Sequence, residues 1–234
     1  MDSAQKQAVL AACPLFADLE AATVMRLATA TREMRVAAGY LLLCQGQPVP
    51  GLQVMASGTA KLYLSSAAGK ELCIDVVGRG NALDLVGALV CGEALLHAIT
   101  TEPGVVLILP PDSLTQIMGA ELCQATVRRQ LTRQLCLLLS ILEDVALHTL
   151  DVRVARLLHR LHLDSRQNAA ARLHRLDQTT LSNMANGSRS KVNEQLQALR
   201  RLGAIDIQDG AVVMQRLDRL AQAMEPNIAP ESVP

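Results

Sequence analysis

The chain has 234 residues, half of them hydrophobic, and its 22 basic side chains balance 22 acidic ones. That length suits one large domain or two small ones and can bury a sizeable core, while a net charge of zero speaks against a wholly basic nucleic-acid binder. Only Phe16, Tyr40 and Tyr63 are aromatic, which nearly excludes a single-strand binder that stacks bases on aromatic platforms.

The opening segment MDSAQKQAVLAACPLF lacks the charged and then apolar regions of a secretory signal. From Gln5 to Thr31, the spacing of Leu10, Leu15, Leu19, Val24 and Leu27 predicts two short helices, with Pro14 marking the break. From Met34 to about Leu109, short apolar runs such as LQVMAS, AKLYL, ELCIDVV and VVLIL alternate with Gly and Pro turns. That texture predicts an antiparallel sandwich or barrel. Within it, Val36 to Ala60 is uncharged and long enough to raise a membrane question. Gly39, Gly46, Pro48, Pro50, Gly51 and Gly58 would break a spanning helix, so no membrane partner is expected. The six cysteines, at 13, 44, 73, 91, 123 and 136, form no Cys-x-x-Cys motif, so neither zinc nor an iron–sulfur run is signalled. Buried thiols in a cytoplasmic protein are the expected reading. One redox-sensing thiol is the alternative.

After Pro110 and Pro111 the pattern turns helical, with Asp112 and Ser113 as N-cap candidates. Leu131, Leu135, Leu138, Leu142 and Val145 follow in steps of four and three, a heptad seam. Leu137, Leu139 and Ile141 widen that surface. One long helix packing on its own domain and on a second copy is predicted. A single buried core helix is the alternative. Asp151 to Leu163 predicts another amphipathic helix, and SRQNAAAR a loop.

Residues 176–203 read LDQTTLSNMANGSRSKVNEQLQALRRLG. Leu181 and Met184 supply one short apolar face. Asn186-Gly187 breaks the helix, as both tolerate left-handed geometry, and Ser188 caps the next one. Val192, Leu196 and Leu199 form its buried face, and the small Ser182 sits where two helices would cross. This is helix-turn-helix spacing. Arg189, Ser190, Asn193 and Glu194 stand on the outward face and Lys191 points toward phosphates, and these five with Thr179 and Ser188 are the candidate DNA-binding residues. In AIDIQDGAVVM, Ile205 and Ile207 alternate inward, Asp209-Gly210 turns, and Val212 and Met214 return as a wing. An ordinary helical hairpin plus a functionless β-hairpin is the bland alternative.

Split by region, the zero charge is a cancellation. Residues 1–145 carry 10 basic and 13 acidic side chains, residues 146–222 carry 12 and 7, and the last twelve residues add two acids. Positive charge therefore gathers with the motif, as phosphate contact requires. Arg153, Arg156, Arg160, Arg166, Arg172 and Arg175 precede the motif, and Arg200 and Arg201 follow it. No Gly-rich phosphate loop, metal-spaced His cluster or nucleophile elbow appears, so no enzyme is expected.

The order of these parts resembles the Crp/Fnr superfamily of bacterial transcription regulators over nearly the whole chain. ACPLFADLEAATVMRLA is similar to the family's opening helices. Gly39, Gly46 and LQVMASGTAKLY resemble its cyclic-nucleotide-binding-type jelly roll, and SRSKVNEQLQALRRLGAI resembles its recognition helix. The resemblance implies an α+β chain. Residues 1–111 would be an antiparallel β jelly-roll sensor domain, 112–147 a dimerisation helix and 148–222 a winged helix-turn-helix domain, with 223–234 a disordered tail. It implies double-stranded DNA, a second copy of the chain and RNA polymerase as partners. A small-molecule-binding or scaffold protein of the same fold, without specific DNA binding, is the alternative, and Glu194 favours it.

The chain also departs from the family. Members that bind cyclic AMP hold its phosphate with a Gly-Glu pair and then an Arg-Ser pair. An ungapped match of NALDLVGALVCGEALLHAI puts Leu83-Asp84 and Ala94-Leu95 there. The neutralising cation is missing, and Asp84 would repel the phosphate, so cyclic AMP is not the expected effector. The iron–sulfur cysteine cluster of the family's oxygen sensors is missing too. The segment is instead apolar, with Leu83, Leu85, Val86, Leu89, Val90, Leu95 and Leu96. In this it resembles the denitrification regulators, among which haem has been implicated. Leu83, Asp84, Leu85, Ala94, Leu95 and His97 are the candidate effector-pocket residues. His97 is a weak candidate haem ligand, with Met55, Cys73 and Cys91 weaker still. On the recognition helix, Asn193-Glu194 replaces the family's usual Ser-Arg. Arg189 could pair with guanine, Asn193 with adenine and Glu194 with cytosine N4, so the half-site should differ from the common consensus.

Overall fold

The computed structural model describes residues 1–167, 178–208 and 211–224. The chain forms two compact units, Met1–Leu138 and Leu139–Pro234. Asp209-Gly210, residues 168–177 and residues 225–234 lie outside the described residues, and with them the expected wing turn, most of the loop SRQNAAAR and most of the expected tail.

The first unit opens with α1 (Ser3–Ala11) and α2 (Ala21–Ala30). Asp2 caps α1, accepting from the Gln5 amide at 2.7 Å while the Gln5 side chain accepts from the Asp2 amide at 3.1 Å. This reciprocal box starts the helix earlier than apolar spacing alone suggested. Seven strands follow: β1 (Arg32–Val36), β2 (Leu41–Leu43), β3 (Leu52–Ser57), β4 (Ala60–Ser65), β5 (Glu71–Val77), β6 (His97–Thr100) and β7 (Gly104–Leu109). They form two antiparallel sheets, β1-β7-β3 and β2-β6-β4-β5.

The register sorts side chains by face, because residues directly opposite each other point the same way. Val54 pairs with Leu107 and Leu52 with Leu109, and all four pack against α1 and α2. Gln53 pairs with Ile108 and Met55 with Val106, on the side that faces the second core. That core holds Val36, Leu42, Met55, Leu62, Val77, Ala98 and Val106 from both sheets, so it is the interior of a β-roll. Strand β3 is therefore covered on both faces.

The predicted helix 112–147 is two helices. Pro111 sits in the first turn of α3 (Pro111–Met118) and Pro110 takes the N-cap position, so Asp112 and Ser113 are not caps. Gly119, at φ +81, stops α3 because a left-handed residue cannot continue a right-handed helix. The long α4 (Ala120–Leu147) follows, its last turns belonging to the second unit.

The second unit adds α5 (Leu150–Gln167), α6 (Gln178–Met184), α7 (Arg189–Arg201), β8 (Ile205–Gln208), β9 (Ala211–Met214) and α8 (Leu217–Met224). Its core joins Val154, Ala155 and Leu158 of α5 to Leu181, Val192, Leu196, Ile205, Val212 and Leu220. Helix α8 runs two residues into the segment expected to be a disordered tail. No helix among the described residues is long and apolar enough to cross a membrane.

Candidate nucleic-acid interface

Helices α6 and α7 form the helix-turn-helix. The turn is closed by Ala185 N–H to Leu181 O at 2.9 Å, Asn186 N–H to Asn183 O at 3.0 Å and Gly187 N–H to Ser182 O at 3.0 Å. Asn186 adopts φ +50, which asparagine tolerates. Gly187 is not left-handed, contrary to the expectation from its sequence context. A Cβ there would lie 2.7 Å from Leu150 Cδ1 and 2.9 Å from Val192 Cγ2. Close packing of the turn, not backbone handedness, requires the glycine. Ser182 is buried at the crossing and donates its hydroxyl to Gln178 O, so the small polar residue leaves nothing unsatisfied.

Ser188 is extended, at φ −68 and ψ 148, and its Oγ accepts from the Lys191 amide at 3.4 Å. That cap fixes the phase of α7. Val192, Leu196 and Leu199 turn inward, leaving Arg189, Ser190, Lys191 and Glu194 exposed, with Thr179 exposed at the start of α6. The exposed N-terminus of α7 also presents the positive end of its helix dipole, which suits a phosphate. Asn193 differs from its neighbours. It is half-buried, and its Oδ1 is covered and meets no donor among the described residues. A two-point contact with adenine requires that side chain to turn out. Ser190 Oγ donates to Glu194 Oε1 at 3.5 Å, along the same helix face.

Several cations counted toward this face are committed elsewhere. Arg156 donates through Nε to Asp144 Oδ1, and its Nη2 lies 3.0 Å from Glu143 Oε2. Arg160 Nη1 reaches Asp144 Oδ2 and Ser140 Oγ, each at 3.2 Å. His148 Nε2 lies 3.2 Å from Glu143 Oε1. The hydrogen bond from His148, and then the Arg156 charge, hold the Glu143 carboxyl below the usual range. Apolar periodicity could not reveal this cluster, since its acids and its arginines lie on different helices. Farther on, Arg200 pairs with Asp206 at 3.2 Å, and Arg219 Nη1 donates to Leu202 O at 2.7 Å, covering the C-terminal end of α7. Arg189, Lys191 and Arg201 remain exposed cations of the motif.

In the first unit, Leu83, Leu85 and Ala94 are buried in its two cores. Asp84 is 5% exposed, with φ +21. Its Oδ1 accepts from Gly87 N–H at 3.0 Å and its Oδ2 from Leu95 N–H at 2.6 Å. A Cβ on Gly87 would lie 2.4 Å from Asp84 Oδ2, so glycine is what lets the carboxylate reach. Asp84 is thus an internal brace across residues 84–95. Leu95 points to solvent rather than into a pocket.

His97 does not fit an iron ligand. Its Nδ1 accepts from Gln45 N–H at 3.4 Å and its Nε2 lies 3.2 Å from Ser65 Oγ, so both nitrogens are engaged. An acceptor Nδ1 places the ring proton on Nε2, so His97 donates to Ser65 and cannot serve as its base. The ring stacks on Tyr63, with centroids 5.0 Å apart, and Lys61 Nζ lies 4.4 Å from the Tyr63 centroid. Among the described residues, no group of three His, Cys, Asp or Glu side chains is placed to hold a metal. Burial pushes the Cys13 thiol up to about 11. Burial and then the Asp75 charge push Cys73 to about 12. Cys91 and Cys136 are exposed.

On α4, Leu135, Leu138, Leu139, Leu142 and Val145 are exposed, with Leu142 at 62%. Leu131, the first residue of the predicted seam, instead packs on the core of the first unit. Ile141 is buried, and Ser140, Glu143 and Asp144 face α5, so the leucine stripe is the side of α4 left uncovered.

The family model described as Cyclic nucleotide-binding domain matches residues 33–121, and the Crp-like helix-turn-helix domain matches residues 152–223. The chain belongs to the Crp/Fnr superfamily. FixK2 from Bradyrhizobium japonicum is similar in fold, with a TM-score of 0.71 and 14% identity over 83% of this chain and 98% of that one. A CooA variant from Carboxydothermus hydrogenoformans superposes with a TM-score of 0.67 and 15% identity, over 84% of this chain and 89% of that one. The c-di-GMP-responsive regulator CLP of Xanthomonas campestris superposes with a TM-score of 0.65 and 18% identity, over 84% and 99%. At such identities these likenesses speak for the fold. No curated protein sequence matches the chain. As a Crp/Fnr-type protein it is a DNA-binding transcription regulator, and the matched helix-turn-helix contains every residue of the exposed α7 face.

Proposed function

We propose that the protein is a homodimeric, sequence-specific transcription regulator whose β-roll answers a signal other than cyclic AMP. The observation that carries the DNA-reading part is the N-terminal face of α7. There Arg189, Ser190, Lys191 and Glu194 are exposed behind a capped helix end whose opposite side is buried. Thr179, Ser188 and Asn193 complete the interface. Arg189 suits guanine O6 and N7, Glu194 suits cytosine N4, and Lys191 and Thr179 lie toward the backbone.

The exposed leucine stripe of α4 supports the dimer. Two copies paired along Leu135, Leu138, Leu142 and Val145 would bury a seam of coiled-coil spacing. Two recognition helices would then read half-sites about one helical turn apart. RNA polymerase belongs to the same proposal as the partner through which such a dimer acts. Against cyclic AMP stands the site itself. Asp84 is already held by two amides, and Ala94-Leu95 brings no cation.

Selection of bound duplexes from a random pool tests the reading. A two-fold half-site pattern is the expected result. Enrichment of no sequence would favour the second reading, a ligand-binding or scaffold protein that has lost specific DNA binding. The feature that favours it is Glu194, an acid on the base-facing helix. Calorimetry with cyclic AMP should show no micromolar binding, and such binding would refute the effector part.

A further inference from the structure

Strand β2 ends at Leu43, which is paired with Ala98 of β6. Just beyond it, the backbone of residues 46–49 pairs with that of residues 92–94. Gly46 N–H donates to Ala94 O at 2.8 Å, Ala94 N–H to Gln47 O at 2.8 Å and Val49 N–H to Gly92 O at 3.0 Å, beside the Pro48–Glu93 bridge. Gln45 lies in the gap between the two stretches of pairing. Its N–H donates to the ring of His97, at Nδ1 and 3.4 Å, rather than to a carbonyl. A side chain thus stands in for a backbone acceptor and joins residues 46–49 to the sheet.

The same ring donates from Nε2 to Ser65 Oγ at 3.2 Å and stacks on Tyr63, its partner across β4 and β6. Only one form of imidazole fits these contacts. The neutral ring with its proton on Nε2 has an acceptor at Nδ1, whereas the imidazolium has donors at both nitrogens. Protonation therefore sets one N–H against another and takes the acceptor from Gln45. Tyr63 holds an imidazolium as well as an imidazole, so the stack keeps the ring in place. The other charges nearby are already engaged. On β4, Lys61 Nζ lies 4.4 Å from the Tyr63 ring centroid and bonds Glu71 of β5 at 2.6 Å. Also on β5, Asp75 accepts from the Val76 amide at 2.7 Å, and burial keeps the Cys73 thiol protonated. In the paired segments, Cys44 adjoins Gln45 and Glu93 adjoins Ala94.

We propose that His97 is a proton-operated latch, whose neutral ring fastens residues 45–49 to residues 92–97 and whose protonation releases them. The sign follows from which form makes the bond. The neutral ring accepts from Gln45, so the latch is closed on the alkaline side of the imidazole range and opens as pH falls through it. Ala98 and Leu62 point into the roll core, so His97 and Tyr63 beside them lie on the outer face of the sheet. The input is a proton taken up there, and no ligand inside the roll is needed. Release would also loosen the Asp84 brace, since Ala94 adjoins Leu95, whose amide donates to Asp84 at 2.6 Å.

The test is residue-level hydrogen exchange by NMR on the full chain between about pH 5 and pH 8, with each rate corrected for the intrinsic pH dependence of exchange. Protection of the Gln45, Gly46 and Ala94 amides should fall at least about threefold, in step with protonation of the His97 ring. His97→Asn keeps an acceptor near the Nδ1 position that does not titrate, so its protection should stay level. His97→Ala removes the acceptor, so its protection should be low at every pH. His97→Gln takes the place of the Asn variant if that variant is unprotected at neutral pH. His148, His159 and His162 are unchanged in all of these, so a difference among them cannot come from those residues. Level protection in the wild type across the His97 titration, the same fall in the Asn or Gln variant, or full protection in the Ala variant would each overturn the latch.

Discussion

Asp144 and Arg156 form an ion pair in which the carboxylate is almost enclosed, with 8% of its side chain exposed. Arg160 takes the second carboxylate oxygen at 3.2 Å. One acid on α4 therefore bridges two arginines of α5, and Glu143 adds a second acid at Arg156, so these charges are engaged within the unit. The pairing makes these arginines structural. Asp144→Ala should destabilise the second unit by about 2–4 kcal/mol, because two half-buried cations lose the nearly buried carboxylate they share. Denaturant unfolding measures this. Arg156→Met should lower stability yet leave the salt dependence of DNA binding unchanged. A shallower salt slope would show that Arg156 contacts phosphate after all.

Lys191 and Arg189 should behave differently from each other. Lys191→Ala is expected to weaken binding uniformly across sequences and to reduce the salt slope by about 1 per half-site. Arg189→Ala should cost about 1–3 kcal/mol per half-site and relax base preference at one position. Band shifts over a salt series with single-base variants of the selected site separate the two. Unchanged base preference after Arg189→Ala would remove its proposed role.

Leu142 is 62% exposed on the uncovered side of α4. Leu142→Asp places a charge at the centre of the proposed dimer seam. Self-association should weaken at least about tenfold, read by sedimentation. The second unit should stay folded, because Leu142 is not part of its core. Unaltered self-association would exclude this face as the dimer contact.

Gly187→Ala should cost about 1–3 kcal/mol through overpacking against Leu150 and Val192. The neighbouring Asn186→Gly should be nearly neutral, since glycine accepts φ +50 freely. Thermal or denaturant unfolding of both variants tests whether space or handedness governs the turn. Equal tolerance of the two changes would contradict the packing explanation.

The thiols give a pH window. Cys13 and Cys73 are raised by burial from the ordinary value of 9.0 to about 11 and about 12. The folded state keeps these protons longer than the unfolded state does. Their contribution is complete below pH 9.0 and is lost as pH rises through about 11–12. Glu143 has the opposite sign. Its lowered value stabilises the fold above the ordinary 4.5, and that contribution is lost as pH falls below it. Unfolding midpoints across both ranges check the signs. In native protein at neutral pH, thiol reagents should label Cys91 and Cys136 and spare Cys13 and Cys73 until unfolding.

Much of the architecture was legible along the chain because local chemistry encodes it. The breaks near Gly and Pro marked the strands. Ser188 as cap, with Val192, Leu196 and Leu199 at helical spacing, fixed which side of α7 is buried and therefore which residues face out. The leucine steps marked a face of α4 that its own chain leaves largely uncovered. What the sequence could not decide was pairing over distance. It offered Asp84 as a charge facing a ligand, but the fold closes Gly87 and Leu95 amides onto that carboxylate. It offered His97 as a metal ligand, but Gln45 and Ser65 occupy both ring nitrogens. It counted Arg156 and Arg160 in the positive charge gathered near the motif, but both are tied to Asp144. Gln53 passed unnoticed as one polar residue in a strand, and only the sheet register put it on a covered face of β3. Periodicity reports which face of an element is buried, because burial follows local spacing. The partner of a buried polar group is set by which distant segments the tertiary fold brings within hydrogen-bond reach.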